Sequence, residues 1–320
     1  MKVLITDPIH EAGIERLRRF AEVEVATGLN HEDLIRKVPG FDVMIVRSGT
    51  KVDKNVLEAA DDLDLIVRAG VGLDNIDLEA AEDRGVEVLN TPEAPKVAVA
   101  ELTLGLMLAW SRNISQADRS MKEGRWEKSD LIGTELWGKT LGIVGTGRVG
   151  QAVASRAKAF GMDLLGYDIK KYHEFEEMGG SYVELKVLLR ESNYVTLHVQ
   201  LNSSTKHMIG EHELKLMKPS AVLVNTARGS VVDEPALIKA LQEERIAGAC
   251  LDVYEQEPPT NSSLLELPNV ILTPHLGASS KEAQKATSVL SARLIEKKTQ
   301  RGKSKKRRSS RIKLMKRKWK

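Results

Sequence analysis

Short apolar runs alternate with amphipathic stretches along almost the whole chain. VLITDP, EVEVAT, DVMIVRS, LDLIVRAG and VEVLNTP, spread over residues 3–92, are rich in β-branched residues and end in turn formers, so they read as strands. Helical patterns such as IHEAGIERLRRF and NIDLEAAEDRG lie between them. A longer pattern, VAVAELTLGLMLAWSRNISQADRSMKEG, predicts one long helix over 97–124. A second series of strands follows: TLGIVGTG, DLLGYD, YVTLHVQL, AVLVNTARG, IAGACLDV and NVILTPH, with DEPALIKALQEE from Asp233 among the intervening helices. Strands that alternate with helices imply parallel sheets covered on both faces. Two such series on either side of a long helix predict two α/β domains.

Length and composition agree with this. At 320 residues the chain is long enough for two cores, and 42% hydrophobic content is ordinary for a globular protein. No apolar run approaches the ~20 residues of a membrane span. MKVLITDPIHEAG lacks a basic start followed by a long apolar stretch, so no signal peptide is expected. The single cysteine, Cys250, excludes an internal disulfide and suits a reducing compartment, which makes the cytoplasm the expected location. Its setting, IAGACLDV, reads as a buried strand and Cys250 as a small core residue.

Charge divides the chain unevenly. From Lys297 onward there are 14 Lys/Arg and no acids, which leaves 34 basic against 45 acidic groups in residues 1–296, a balance of −11. The formal charge of +3 therefore combines an acidic body with a basic tail. Such a block is expected to be solvated and disordered over 297–320. The alternative is a short basic amphipathic helix, because Ile312, Met315 and Trp319 fall at i, i+3 and i+7; it would contact nucleic acid or an anionic surface.

The first motif with chemistry is LGIVGTGRVG, which holds G-x-G-x-x-G as Gly145, Gly147 and Gly150. On its own the pattern is weak. Here an apolar strand precedes it and the helical QAVASRAKAFG follows, as a pyrophosphate cradle at a helix N-terminus requires. LLGYD then places Asp168 at the end of the next strand, 18 residues after Gly150. An acid there accepts hydrogen bonds from both ribose hydroxyls and repels a 2′-phosphate, which favours NAD over NADP. The chain is thus expected to contain two Rossmann-like, doubly wound parallel-sheet domains. The competing reading is a structural glycine turn with Asp168 as a strand-end cap.

A nicotinamide cofactor needs a proton partner, and histidine suits neutral pH. The chain has His10, His31, His173, His198, His207, His212 and His275, with no HExxH or Cys/His spacing, so no metal site is indicated. In open α/β sheets ligands gather at the carboxyl ends of strands. Arg228 after AVLVNTA, Glu257 after LDVYEQ and His275 after NVILTP are the ionisable residues placed there. They form a coherent set: arginine holds a carboxylate and polarises an adjacent carbonyl, and a carboxylate beside an imidazole favours the imidazolium.

VRAGVGLDNID, LGIVGTGRVG, NTARGSVVDE, ACLDVYEQEPP and LTPHLGASS, in this order, resemble the D-isomer-specific 2-hydroxyacid dehydrogenases. The likeness runs from Met1 to about Glu296 and is strongest to members that oxidise a phosphorylated hydroxy acid at the head of serine biosynthesis. The resemblance implies Arg228, Glu257 and His275 as catalytic residues, with His275 as proton donor. It implies that Arg148 and Val149 present backbone to the pyrophosphate, that Asp168 holds the ribose, and that Thr226, Ala227 and Asp252 line the nicotinamide side. Arg47, Ser48, Arg68, Val71 and Gly72 fall on segments that face substrate, the two arginines as candidates for its phosphate. The resemblance also implies a discontinuous substrate domain, 1–97 with 277–296 returning to it, and an NAD-binding domain over 98–276. The long helix would serve as hinge and dimer surface, so a homodimer or higher homo-oligomer is expected, with substrate drawing the two domains together. Glyoxylate or hydroxypyruvate reduction is the sister reading. An NAD-sensing interaction protein, like the family-related corepressors, is the alternative of another class and rests on the tail. Pro95 and Lys96 stand where members carry small polar residues, and Gln200 where they usually have proline. No attached regulatory domain is expected.

Overall fold

The apolar runs of residues 3–92 become the strands of one sheet. In the computed structural model, which describes residues 1–260 and 262–317 and side chains through residue 300, β1 (Lys2–Ile5), β2 (Glu22–Val25), β3 (Val43–Val46), β4 (Leu65–Arg68) and β5 (Glu87–Asn90) pair in the order β2-β1-β3-β4-β5. Every pair is parallel. The central β3 is buried at all its positions, as a strand covered on both faces must be, whereas the edge strand β2 is largely exposed. The connecting helices are α1 (Glu11–Arg18), α2 (His31–Lys37), α3 (Lys54–Ala59) and α4 (Leu78–Asp83). His10, Asn30, Asp53 and Asp77 cap them, each side chain accepting a first-turn N–H.

The chain clusters into two units, residues 1–95 with 280 onward, and 96–279. The return to the first unit is α12 (Lys281–Arg317), which packs along α1. Ser288 donates to the His10 carbonyl at 2.7 Å, and a Cβ on Gly13 would run into Ser288, so these helices approach closely. Ala292 and Ile295 of α12 complete a core with Val3, Ile5, Ile14 and Leu17. Side chains from residue 301, and residues 318–320 altogether, lie outside the described part. Of the stretch expected to be disordered, the backbone through Arg317 belongs to α12, whereas the side chains of the Ile312–Met315–Trp319 face fall outside the described part.

The second unit begins with α5 (Lys96–Ser111) and α6 (Ile114–Lys122). The single helix expected over 97–124 is therefore two. Asn113 adopts φ 52°, a left-handed conformation that asparagine tolerates better than most residues, and the helix axis breaks there. Then come β6 (Thr140–Val144), α7 (Arg148–Ala159), β7 (Asp163–Tyr167), α8 (His173–Glu177), β8 (Gly180–Tyr182), α9 (Leu185–Glu191), β9 (Tyr194–Leu197), α10 (Glu211–Leu216), β10 (Val222–Asn225), α11 (Glu234–Gln242), β11 (Gly248–Leu251) and β12 (Val270–Leu272). The sheet order is β12-β11-β10-β9-β6-β7-β8, again wholly parallel. β9, β10 and β11 are buried along their length. Cys250 lies in β11, fully buried, and burial pushes its thiol pKa upward. The edge strand β8 has no apolar run to announce it. It forms where Gly166 and Gly180 leave room for the ring of Phe175, which lies 5.1 Å from the Tyr182 ring and tilted 54° to it. The fold is thus α/β with two parallel sheets. Among the described residues no helix is long and apolar enough to cross a membrane.

Candidate active site

Arg228, Glu257 and His275 each follow one of three neighbouring strands, β10, β11 and β12, at the carboxyl ends of the sheet. Gly229 has no side chain because the backbone of Tyr254 occupies that space, which seats the turn after β10 against the turn after β11. Tyr254 in turn reaches the β12 loop: its hydroxyl donates to the Thr273 carbonyl at 2.9 Å, and its N–H donates to Glu257 Oε1 at 3.3 Å. Burial pushes the Tyr254 phenol up to about 12, so it remains a donor.

His275 has φ 54°, left-handed backbone that requires support. Asp252 supplies it. This wholly buried carboxylate accepts from Thr273 Oγ1 at 2.6 Å, from the Leu276 N–H at 2.7 Å and from the Gly277 N–H at 2.8 Å, bracketing His275 on both sides. Burial raises the Asp252 pKa, and these hydrogen bonds offset part of that rise.

His275 Nδ1 and Glu257 Oε2 lie 2.7 Å apart. Burial works to raise the Glu257 pKa, but the hydrogen bond and charge of His275, the Tyr254 N–H and the charge of Arg228 outweigh it and hold the carboxyl below its ordinary value. An ionised carboxylate only accepts, so Nδ1 carries the proton and Nε2 is left to exchange one with a ligand. Side-chain exposure of 41% for His275 and 39% for Glu257 keeps that nitrogen accessible. Arg228 is half-buried, with Nη1 on the Ala227 carbonyl at 2.6 Å. Asn225 closes the turn by donating to the Arg228 carbonyl and accepting from the Ala227 N–H. Thr226 is buried and bonded to Thr103 at 3.0 Å.

The glycine-rich turn joins β6 to α7. Gly145 has φ 93°, and a Cβ there would lie 2.7 Å from the His198 carbonyl. A Cβ on Gly150 would strike the Gly145 carbonyl, so helix and turn pack as closely as backbone allows. Gly147 differs: it is the N-cap of α7, offers no side-chain cap, and a Cβ there would meet nothing within 4 Å. That open side, at the positive end of a helix dipole beside the N–H groups of Arg148 and Val149, fits a pyrophosphate. Asp168, just past β7, accepts from Thr146 N–H at 2.7 Å and from Lys170 N–H at 3.1 Å. The Thr146 hydroxyl adds a longer bond at 3.3 Å, and a carboxylate retains acceptor capacity beyond these three, so ribose hydroxyls remain within its chemistry. These residues fit a dinucleotide.

In the first unit, Arg47 and Ser48 follow β3, Arg68 ends β4, and Val71 and Gly72 come just after it. Arg47 Nη1 donates to the Pro8 carbonyl at 3.3 Å. The Val71 carbonyl accepts from Asn90 Nδ2 at 2.6 Å. The Arg68 guanidinium folds over Gly70, where a Cβ would collide with it.

His31, His173, His198 and His207 have structural partners, and His10 caps α1. His198 bonds Thr196 at 3.0 Å, and burial drops its pKa to about 3, so it stays neutral. His207 pairs with Glu255 at 2.6 Å, His31 with Asp53 at 2.9 Å, and His173 with Glu177 at 3.3 Å. Among the described residues no group of three His, Cys, Asp or Glu is arranged to hold a metal ion. After Gln200, the loop is knit by Asn202, whose Oδ1 accepts from the Ser204 and Thr205 N–H groups, and Thr205 Oγ1 donates to the Gln200 carbonyl at 2.6 Å. Sequence reasoning did not single out Tyr254, Thr146, Asp7 or Asn75. Asp7 alone had a signal, its place at the carboxyl end of the first strand.

A family model described as D-isomer specific 2-hydroxyacid dehydrogenase, NAD binding domain, matches residues 104–277. The chain is 52% identical over 299 residues to the D-3-phosphoglycerate dehydrogenase of Methanocaldococcus jannaschii; the match covers 93% of this chain and 57% of that protein, so the chain spans little more than half its length. It is 46% identical to the glyoxylate reductase of Thermococcus litoralis, over 91% of this chain and 92% of the reductase. Among solved structures, D-lactate dehydrogenase from Aquifex aeolicus, complexed with NAD and lactic acid, superposes with TM-score 0.85 at 29% identity, covering 94% of this chain and 96% of that one.

Gly147→Ala separates fold from cofactor. The added methyl meets no protein atom, so the thermal midpoint should stay within about 2 °C, whereas NAD affinity, read by fluorescence titration, should fall about tenfold or more. Unchanged affinity would mean the pyrophosphate does not approach here.

Proposed function

The chain belongs to the D-isomer-specific 2-hydroxyacid dehydrogenases, and from that premise we propose that it is an NAD-dependent oxidoreductase that oxidises D-3-phosphoglycerate at C2 to 3-phosphohydroxypyruvate, the first step of serine biosynthesis. The observation that carries the reading is the His275–Glu257 pair, with Arg228 in electrostatic reach, on the same sheet end as the glycine cradle. Gly145, Gly147, Arg148, Val149, Gly150 and Asp168 would hold NAD, which supplies the acceptor for the hydride leaving C2. Arg228 holds the substrate carboxylate through paired hydrogen bonds and draws electron density from the adjacent C2 oxygen. Neutral His275 Nε2 takes the C2 hydroxyl proton, and Glu257 balances the imidazolium that forms. In reduction the same proton returns to the oxygen. Arg47 and Arg68, at the carboxyl ends of β3 and β4, are assigned to the phosphate.

Glyoxylate or hydroxypyruvate reduction is the second reading, supported by a match that covers nearly the full length of the Thermococcus litoralis glyoxylate reductase. The NAD-sensing alternative rests on the tail, whose side chains are described only through Gln300. A homodimer is also proposed: the stretch after α6 exposes Trp126, Ile132 and Trp137 at 78, 83 and 74%, large apolar side chains of the kind a partner copy would cover.

A spectrophotometric screen of 2-hydroxy and 2-oxo acids, with and without phosphate, decides the substrate. D-3-phosphoglycerate should give the highest kcat/KM; a clear preference for glyoxylate would select the second reading. His275→Ala should lower kcat by about a hundredfold or more with NAD affinity intact; near-normal turnover would remove His275 from the mechanism.

The depressed pKa of Glu257 keeps it ionised throughout the range in which a histidine titrates. Glu257→Gln removes the charge that balances the imidazolium, so kcat should fall about tenfold or more while NAD affinity stays near normal. An unchanged kcat would dissociate the pair. For the dimer, Trp137→Glu should shift sedimentation equilibrium from twice the chain mass toward the chain mass. A wild-type monomer at micromolar concentration would exclude the dimer.

A further inference from the structure

The loop after β3, Arg47–Thr50, is held at both ends by two side chains from elsewhere in the first unit. Asp7 Oδ2 accepts from the N–H of Arg47 at 2.5 Å and from the N–H of Thr50 at 3.2 Å. Asn75 Nδ2 donates to the carbonyls of the same two residues, at 2.7 and 2.6 Å. Four backbone groups at the loop's two ends are thus satisfied by one carboxylate and one amide. Asp7 is nearly buried, and a Cβ on Gly49 would come within 2.5 Å of its other oxygen, so the carboxylate also lies against the loop's tip. Thr50 Oγ1 is bonded to Thr6 Oγ1 at 2.9 Å, and Val52 pairs with the segment that carries Asn75.

The clamp leaves the tip open. Ser48 and Gly49 are exposed, and among the described residues no group accepts from either N–H. Two successive N–H groups without protein acceptors, following Arg47 in the chain at a strand's carboxyl end, are an anion-binding arrangement. A loop this short and exposed would otherwise sample many conformations, each costing binding free energy to select.

We propose that Asp7 and Asn75 are positioning residues that hold the Arg47–Thr50 loop so that the Ser48 and Gly49 N–H groups and Arg47 bind an anionic group of the substrate, its phosphate or its carboxylate. This rests on the reading of Arg47 and Ser48 as substrate-facing. Neither Asp7 nor Asn75 touches the reacting atoms; both act through the loop.

The test is steady-state kinetics of the full chain at saturating NAD, with D-3-phosphoglycerate and D-glycerate as separate substrates. Asn75→Asp keeps shape but replaces the donor with an acceptor facing two carbonyls, and Asp7→Ala removes the acceptor. Each should raise KM for the hydroxy acid about tenfold while kcat and KM for NAD stay within about twofold. Asp7→Asn retains an acceptor oxygen and should restore KM to within about threefold of wild type. A rise confined to D-3-phosphoglycerate identifies the phosphate as the bound anion; an equal rise with both substrates identifies the carboxylate. Arg47→Ala tests the underlying reading: if it leaves KM unchanged, the loop does not face substrate and the proposal falls with that reading. If Arg47→Ala raises KM and the clamp variants do not, the positioning role alone is wrong. A parallel fall in kcat, NAD affinity and urea midpoint in the clamp variants would reduce Asp7 and Asn75 to structural residues and overturn it.

Discussion

The buried Asp252 carboxylate is the contact on which the geometry of the second unit's site depends. It lies at the end of β11 and takes three donors from the turn that follows β12, so two neighbouring strands are locked at their carboxyl ends. His275 sits inside that bracket, in a backbone conformation that an unsupported histidine would leave. A buried carboxylate is costly unless its oxygens are satisfied, and three charge-assisted hydrogen bonds offset part of that cost here. The result is a rigid turn that delivers an imidazole to the next residue in the network.

That residue is Glu257, and its environment explains why the pair is oriented rather than merely close. Burial disfavours its charge, while His275, Arg228 and the Tyr254 N–H favour it more strongly. An ionised Glu257 fixes which imidazole nitrogen carries the standing proton and leaves the other for chemistry. Tyr254 ties the arrangement together, with its N–H on Glu257 and its hydroxyl on the Thr273 carbonyl. The three functional groups come from three adjacent parallel strands, which is what brings their carboxyl ends to one edge of the sheet.

A similar economy recurs where loops must be held without regular structure. Asp168 anchors the glycine-rich turn through Thr146, and Asp7 with Asn75 closes the loop after β3. In each case a short polar side chain at the carboxyl end of a strand, or in the loop beside it, satisfies backbone groups that neither sheet nor helix reaches.

The α/β class was legible from the sequence because a strand buried on both faces must be a continuous apolar run, and a covering helix must be amphipathic. Both are local properties of the chain. The glycine spacing was legible for the same reason: φ 93° at Gly145 and the close approach at Gly150 are backbone demands met by one residue type. The placement of Arg228, Glu257 and His275 after successive apolar runs followed from strand polarity. Tertiary structure decided what depends on distant partners. The break at Asn113 divides a pattern that is continuously helical in periodicity, and β8 exists because Phe175 packs where Gly166 and Gly180 leave space. The bond between His275 and Glu257, the bracket formed by Asp252, and the clamp of Asp7 and Asn75 on one loop join residues separated by 18 to 43 positions. Periodicity records which face a residue turns toward the core, but not which remote donor will meet its oxygen once the strands are side by side.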